Sequence, residues 1–228
     1  MSYFSDFFGL IFPQTCQACK KKLTRYEKVI CTNCTYDLPY TDFHQHADHA
    51  VAKQFWGKVQ LEGSYALLYF NKGSKVQRLM HRLKYKNMPK IGKVLGGLAG
   101  SRLNQVEGFK TVNVIIPVPL HPKRLKKRGY NQSTYFALGI AKRIRARVVE
   151  HNLIRTKATE TQTHKTRLER FENMKAVFAV KRPQELEGKH ILLVDDIMTT
   201  GSTLESCANV LLQIPGVKLS IATIAYAE

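Results

Sequence analysis

The chain has 228 residues, 44% of them hydrophobic and 23% charged, which excludes a disordered protein and suits one α/β domain with a small appended module. Its formal net charge of +19 predicts anionic partners: phosphorylated metabolites, nucleic acid or an anionic membrane face. No apolar run approaches the ~20 residues that cross a bilayer.

Phe4, Phe7, Phe8, Leu10, Ile11 and Phe12 open the chain without the basic start or small-residue cleavage site of a signal peptide, so a cytoplasmic protein is expected. This cluster reads as packing against the module that follows, with a dip into a membrane surface as the alternative. Cys16-x-x-Cys19 and Cys31-x-x-Cys34 then form two knuckles. Four thiolates so spaced predict a closed tetrahedral zinc site of the structural kind. Two disulfides are the competing use, disfavoured in a reducing cytosol. Lys20, Lys21, Lys22, Arg25 and Lys28 either offset the charge of a four-thiolate centre or touch nucleic acid. Residues 1–40 are taken as a zinc-ribbon module and 41–62 as a polar connector, with His44, His46 and His49 in a solvated loop.

Residues 63–228 read as the main domain. Ser64 to Phe70 has strand character, and Val76, Leu79, Met80 and Leu83 recur at helical spacing. Pro89 suits the first turn of a helix running to Asn104. Val112 to Val118 is a buried strand closed by prolines, followed by the basic loop Pro117 to Gln132. Ser133 to Val148 reads as a helix, Leu153 to Arg155 as a brief strand, and residues 156–173 as a long polar segment. Val177 to Val180, Ile191 to Val194 and Leu219 to Ala225 complete a set of parallel strands. Such alternation predicts a doubly wound α/β sheet that binds ligands at the carboxyl ends of its strands.

One of those ends carries the densest chemistry. After Ile191 to Val194 come Asp195 and Asp196, then Thr199, Thr200, Gly201, Ser202 and Thr203, then a helical pattern containing Cys207, read as a small core residue. A glycine turn at a helix N-terminus presents N–H groups and a positive dipole end to an anion. Adjacent carboxylates accept hydrogen bonds from a sugar diol and help hold a hydrated divalent cation. Phosphate donors beside diol acceptors describe a site for a ribose 5-phosphate. Neither a Walker-type phosphate loop nor a Gly-x-Gly-x-x-Gly turn is present.

The segment resembles the 5-phosphoribosyl 1-pyrophosphate (PRPP) motif of type I phosphoribosyltransferases. With the four-cysteine head, Leu83-Lys84-Tyr85, Pro117-Val118-Pro119, Arg128-Gly129-Tyr130-Asn131-Gln132, Thr161-x-x-x-x-Thr166-Arg167 and Arg170-x-x-Asn173, nearly the whole chain resembles the ComF/GntX family. Tyr130 stands where the family often has Phe, and Thr159-x-x-Gln162 is followed by Lys165 where a Leu is common.

The resemblance implies a type I phosphoribosyltransferase-like parallel sheet flanked by helices, with an N-terminal zinc ribbon. It implies Asp195 and Asp196 on the ribose with Mg²⁺, and Thr199, Thr200, Gly201, Ser202 and Thr203 on the 5-phosphate. Lys84, Arg124, Lys126 and Arg128 fall to pyrophosphate, and Lys165, Arg167 and Arg170 to a closing lid. A role in DNA uptake during natural transformation, single-stranded DNA as ligand and a helicase-like ATPase as partner are likewise implied. Three readings stand together: a phosphoribosyltransferase of unknown acceptor acting in DNA uptake or nucleotide metabolism, a binding module for PRPP or single strands, and a scaffold for the ATPase.

Overall fold

The structure is a computed structural model and describes residues 14–156 and 177–227. The N-terminal aromatic cluster and the lid residues Lys165, Arg167 and Arg170 lie outside the described residues.

Five parallel strands form the central sheet in the order β1-β7-β6-β2-β3. They are β1 (Gly63–Tyr69), β2 (Val114–Pro117), β3 (Arg147–Val148), β6 (His190–Met198) and β7 (Lys218–Tyr226). The middle strands are apolar on both faces, as an all-parallel sheet requires, and Ile191 to Val194 are fully buried. The fold class expected from the sequence is observed.

Two strands depart from expectation. Phe178–Val180 (β5) leaves the parallel set and pairs antiparallel with Leu153–Arg155 (β4) in a separate ribbon. A three-residue apolar run carries no information about its partner, so sequence pattern cannot separate the two sheets. The helix beginning near Ser133 also stops early, at Ile144, where Arg145 takes a left-handed turn (φ 57°) and the chain becomes β3.

One face of the sheet is covered by α3 (Lys75–Tyr85), α4 (Pro89–Leu103) and α7 (Gln132–Ile144). Ser74 caps α3 by accepting the Gln77 N–H, and Pro89 occupies the first turn of α4. Glycines let α4 and α7 touch backbone to backbone. A Cβ on Gly96 would stand 2.2 Å from the Phe136 carbonyl oxygen, and one on Gly139 would stand 2.4 Å from that of Lys93. The other face is covered by α8 (Ser202–Leu211), where Cys207 is buried in the core, and by the β4–β5 ribbon.

The head holds one short helix, α1 (Thr32–Tyr36), and an isolated bridge between Thr15 and Lys22. Glu27 ties its central turn by accepting the N–H groups of Thr24 and Thr32, which draw its carboxyl down to about 2. The head docks on α3: Arg78 donates to the Ala18 carbonyl at 2.9 Å, Arg82 to Gln17, and Lys75 pairs with Asp37. Residues 39–41 run antiparallel along the outer edge of β1, through the Tyr40–Leu68 bridge and the Thr41 N–H to the Leu67 carbonyl.

The stretch after residue 41 is more than a polar connector. Val51, next to the short helix α2 (Ala50–Lys53) start, and Phe55 are buried in the α8-side core. His49 is buried too, stacked on Phe43 at 4.6 Å and bonded through Nε2 to the Ser64 carbonyl at 3.0 Å. Of the three histidines only His46 is exposed.

Candidate functional site

β2 leaves the sheet at Pro117, whose register partner is Val194, while the β6–β7 ladder continues through Asp195, Ile197 and Met198. The acids therefore sit within the strand's last turns, not beyond its end as expected from sequence. They occupy the crevice that opens where β6 has lost one neighbour, the usual position for a ligand in an open α/β sheet.

Each acid is held by its own backbone and by one partner from the helical face. Asp195 accepts the Asp196 N–H at 2.7 Å and the Ser133 hydroxyl of α7 at 3.0 Å. Asp196 accepts the Ile197 N–H at 2.7 Å and pairs with Lys84 of α3 at 2.9 Å. Burial, and behind it the neighbouring Asp196 charge, push Asp195 up to about 7. The Asp196 N–H, the Ser133 hydroxyl and the Lys84 charge pull the other way.

Thr199 to Thr203 follow directly. Gly201 takes the left-handed conformation (φ 75°) that starts α8, and no side chain caps the helix there. Its first-turn N–H groups are thus left to an external acceptor. The loop and Asp195 line a small cavity of about 40 Å³. From behind, the ring of Phe55 lies against Gly201: a Cβ there would be 3.2 Å from its Cζ.

The basic loop after β2 contains a helix, α6 (Pro122–Arg128), closed by Gly129 (φ 78°). Lys84, Lys126 and Arg128 line one cleft of about 550 Å³ with Tyr85, Tyr130 and Tyr135. Arg124 is exposed on the same helix but does not line that cleft. Arg128 is placed by Gln132 (2.8 Å) and lies over the Tyr85 ring at 5.3 Å. Short motifs far apart in sequence meet here: Tyr130 donates to the Leu83 carbonyl and Asn131 to that of Val118.

Sequence reasoning missed Ser133 and Phe55. Ser133 directly follows the Arg128-to-Gln132 motif, which was its available signal; nothing in the pattern around Phe55 marks its contact with Gly201.

At the opposite end, the Sγ atoms of Cys16, Cys19, Cys31 and Cys34 all lie within 4.8 Å of one another, and three of the four residues are buried. This donor set can hold a metal ion. Burial opposes the Cys16 thiolate, yet N–H donation from Cys31, Cys19 and Ala18 outweighs it and brings the thiol down to about 7. Cys19 and Cys31 sulfurs stand 3.8 Å apart. Among the described residues, no helix is long and apolar enough to cross a membrane.

The phosphoribosyl transferase domain model matches residues 131–228. A DNA utilization protein, YhgH, of Shigella flexneri is 29% identical over 202 residues, covering 87% of this chain and 84% of its own. Competence protein F of Haemophilus influenzae is 27% identical over 201 residues, covering 86% and 83%. Among solved structures, glutamine PRPP amidotransferase from B. subtilis aligns with 62% of this chain and 30% of its own, at 19% identity and a TM-score of 0.42.

Proposed function

We infer, for a chain that belongs to the ComF family, that the end of β6 binds PRPP. One observation carries this reading: an acid pair, an uncapped glycine-started helix and a lysine from another element converge on one strand end. We assign Asp195 and Asp196 to the ribose hydroxyls and Thr199 to Thr203 to the 5-phosphate. Lys84, Lys126 and Arg128 are assigned to pyrophosphate, whose departing charge they would neutralise; Arg124 is left out because it stands outside their cleft. Asp195 and Asp196 would help hold a hydrated Mg²⁺, which would supply positive charge to offset that of the pyrophosphate. Zinc fits the cysteine cluster, where it would staple a head that has little secondary structure of its own. Functionally, we divide the chain into a zinc module (1–40), a connector (41–62) and the phosphoribosyl domain (63–228).

The names of the relatives support a role in DNA uptake and use, with nucleotide metabolism as the neighbouring assignment. Single-stranded DNA is the polyanion we propose for the cationic cleft, where Tyr85, 57% exposed, offers a stacking surface. A helicase-like ATPase is the proposed protein partner.

Calorimetric titration of PRPP with Mg²⁺ tests the core of this reading. Binding to the wild type that disappears in Asp195→Asn/Asp196→Asn supports it. A folded wild type that binds no PRPP removes it.

A further inference from the structure

Residues 43–56 form a strap against β1, with His44 edge-on to the Tyr65 ring at 5.4 Å and His49 on Ser64. Val51 and Phe55 seat the strap in the core, and the Phe55 ring backs Gly201. Its middle is held by a histidine whose two ring nitrogens both have partners.

His49 Nε2 lies 3.0 Å from the Ser64 carbonyl oxygen, which can only accept, so Nε2 carries the proton. Nδ1 accepts the Ala52 N–H at 3.3 Å and caps the start of α2, so it presents its lone pair. The neutral ring satisfies both partners. The imidazolium cannot, because a second proton on Nδ1 would point at the Ala52 N–H. Stacking on Phe43 closes one face of the ring. Burial pulls His49 below the ordinary histidine value of 6.5, against the Ser64 carbonyl and Asp48, which favour the cation; His46 adds to the lowering.

His44, earlier in the strap, has the same bias. Its Nδ1 is buried and has no hydrogen-bond partner among the described residues. The cation necessarily carries a proton there, a buried donor with nothing to receive it. Burial first, then the Arg102 charge from α4, lower its pKa; Asp42 opposes them and His46 adds to them.

We propose that residues 43–56 are an acid-sensitive strap: neutral His49, seconded by His44, holds it on β1, and protonation loosens it and draws Phe55 from behind Gly201. The device does not depend on what the loop at Gly201 binds. Both histidines are pulled below 6.5, so the hold is complete above pH 6.5 and weakens as pH falls, because the loosened strap takes up protons first. Until the folded-state values are reached, each pH unit favours the loosened form about tenfold per histidine.

Trp56, the chain's single tryptophan, lies at the end of the strap and reports on it. From about pH 8 to about pH 5, its emission in the full chain should show one reversible transition with a midpoint below 6.5. Hydrogen exchange should show β6 and β7 protected throughout. His49→Asn keeps a capping oxygen that cannot take a proton, so the transition should vanish or move down by at least about one pH unit. If His49→Asn does not fold, NMR of the wild-type His49 ring carries the test: its pKa should coincide with the Trp56 midpoint. His46→Gln, at the exposed neighbour, should leave the transition in place. The Gly201 amide resonance should shift with the same midpoint. Flat emission, an unchanged transition in folded His49→Asn, its loss in His46→Gln, or a His49 ring titrating at or above 6.5 would each overturn the strap. A Gly201 amide that stays still while Trp56 responds would overturn its link to the loop.

Discussion

The strand-end site and the cysteine head solve the same problem in opposite ways. Asp195 and Asp196 are presented by a strand paired along its length with β7, and the loop beside them starts a ten-residue helix. Their side chains can be changed while the scaffold stays. The head has a five-residue helix and one isolated bridge, and three of its four cysteines are buried together with Ala18, Leu23, Val29, Ile30 and Leu38. There the ligands are part of a very small core. Chemistry mounted on a sheet is separable from folding, whereas chemistry built into so small a core is not.

The strongest challenge to that contrast is metal removal. Structural zinc supplies roughly 10–16 kcal/mol of apparent binding energy to small modules, so chelation or Cys34→Ser should melt residues 14–38. Hydrogen exchange should show their amides unprotected while β6 and β7 stay protected. Loss of protection in both halves together would break the comparison.

A smaller effect belongs to the sheet half. Gly139→Ala forces a methyl against the Lys93 carbonyl oxygen at 2.4 Å. Overpacking of this kind costs about 1–3 kcal/mol, measurable as a lower urea midpoint, with the cysteine centre unaffected.

Ser133→Ala should cost about 1 kcal/mol and raise the Asp195 pKa further, because the hydroxyl that favours the carboxylate is gone. NMR titration of the carboxyl carbon reads this directly.

The pH dependence of the wild type tests the same acid without a mutation. Asp195 binds its proton more tightly folded (about 7) than unfolded (3.8). Its contribution to stability is therefore complete below pH ~4, declines as pH rises to about 7, and is flat above that. Denaturant midpoints across this window check the sign, with the acid-pair variant Asp195→Asn lacking the slope.

Both ends of the chain were legible because their chemistry is local: two knuckles, and acids and a phosphate-type loop within one short segment. Central strands and the α3 and α4 helices were legible from burial period and caps. What escaped depends on distance. Ser133 reaches Asp195 from another helix, Phe55 reaches Gly201 from a stretch that reads as polar linker, and β5 chooses β4 through tertiary context alone. Asp195 and Asp196 were placed after the strand because charged residues are poor strand formers; pairing with β7 on the remaining side overrides that preference.

Residues 39–41, laid along β1, carry a consequence for colloidal behaviour. β1 is a seven-residue edge strand whose central five residues are buried, and β3, at the other edge, spans only two. An uncovered β1 would be a template for strand addition between copies. The cover is anchored by the head, so a chain whose head has come loose would expose β1 and gain a route to sheets joined edge to edge.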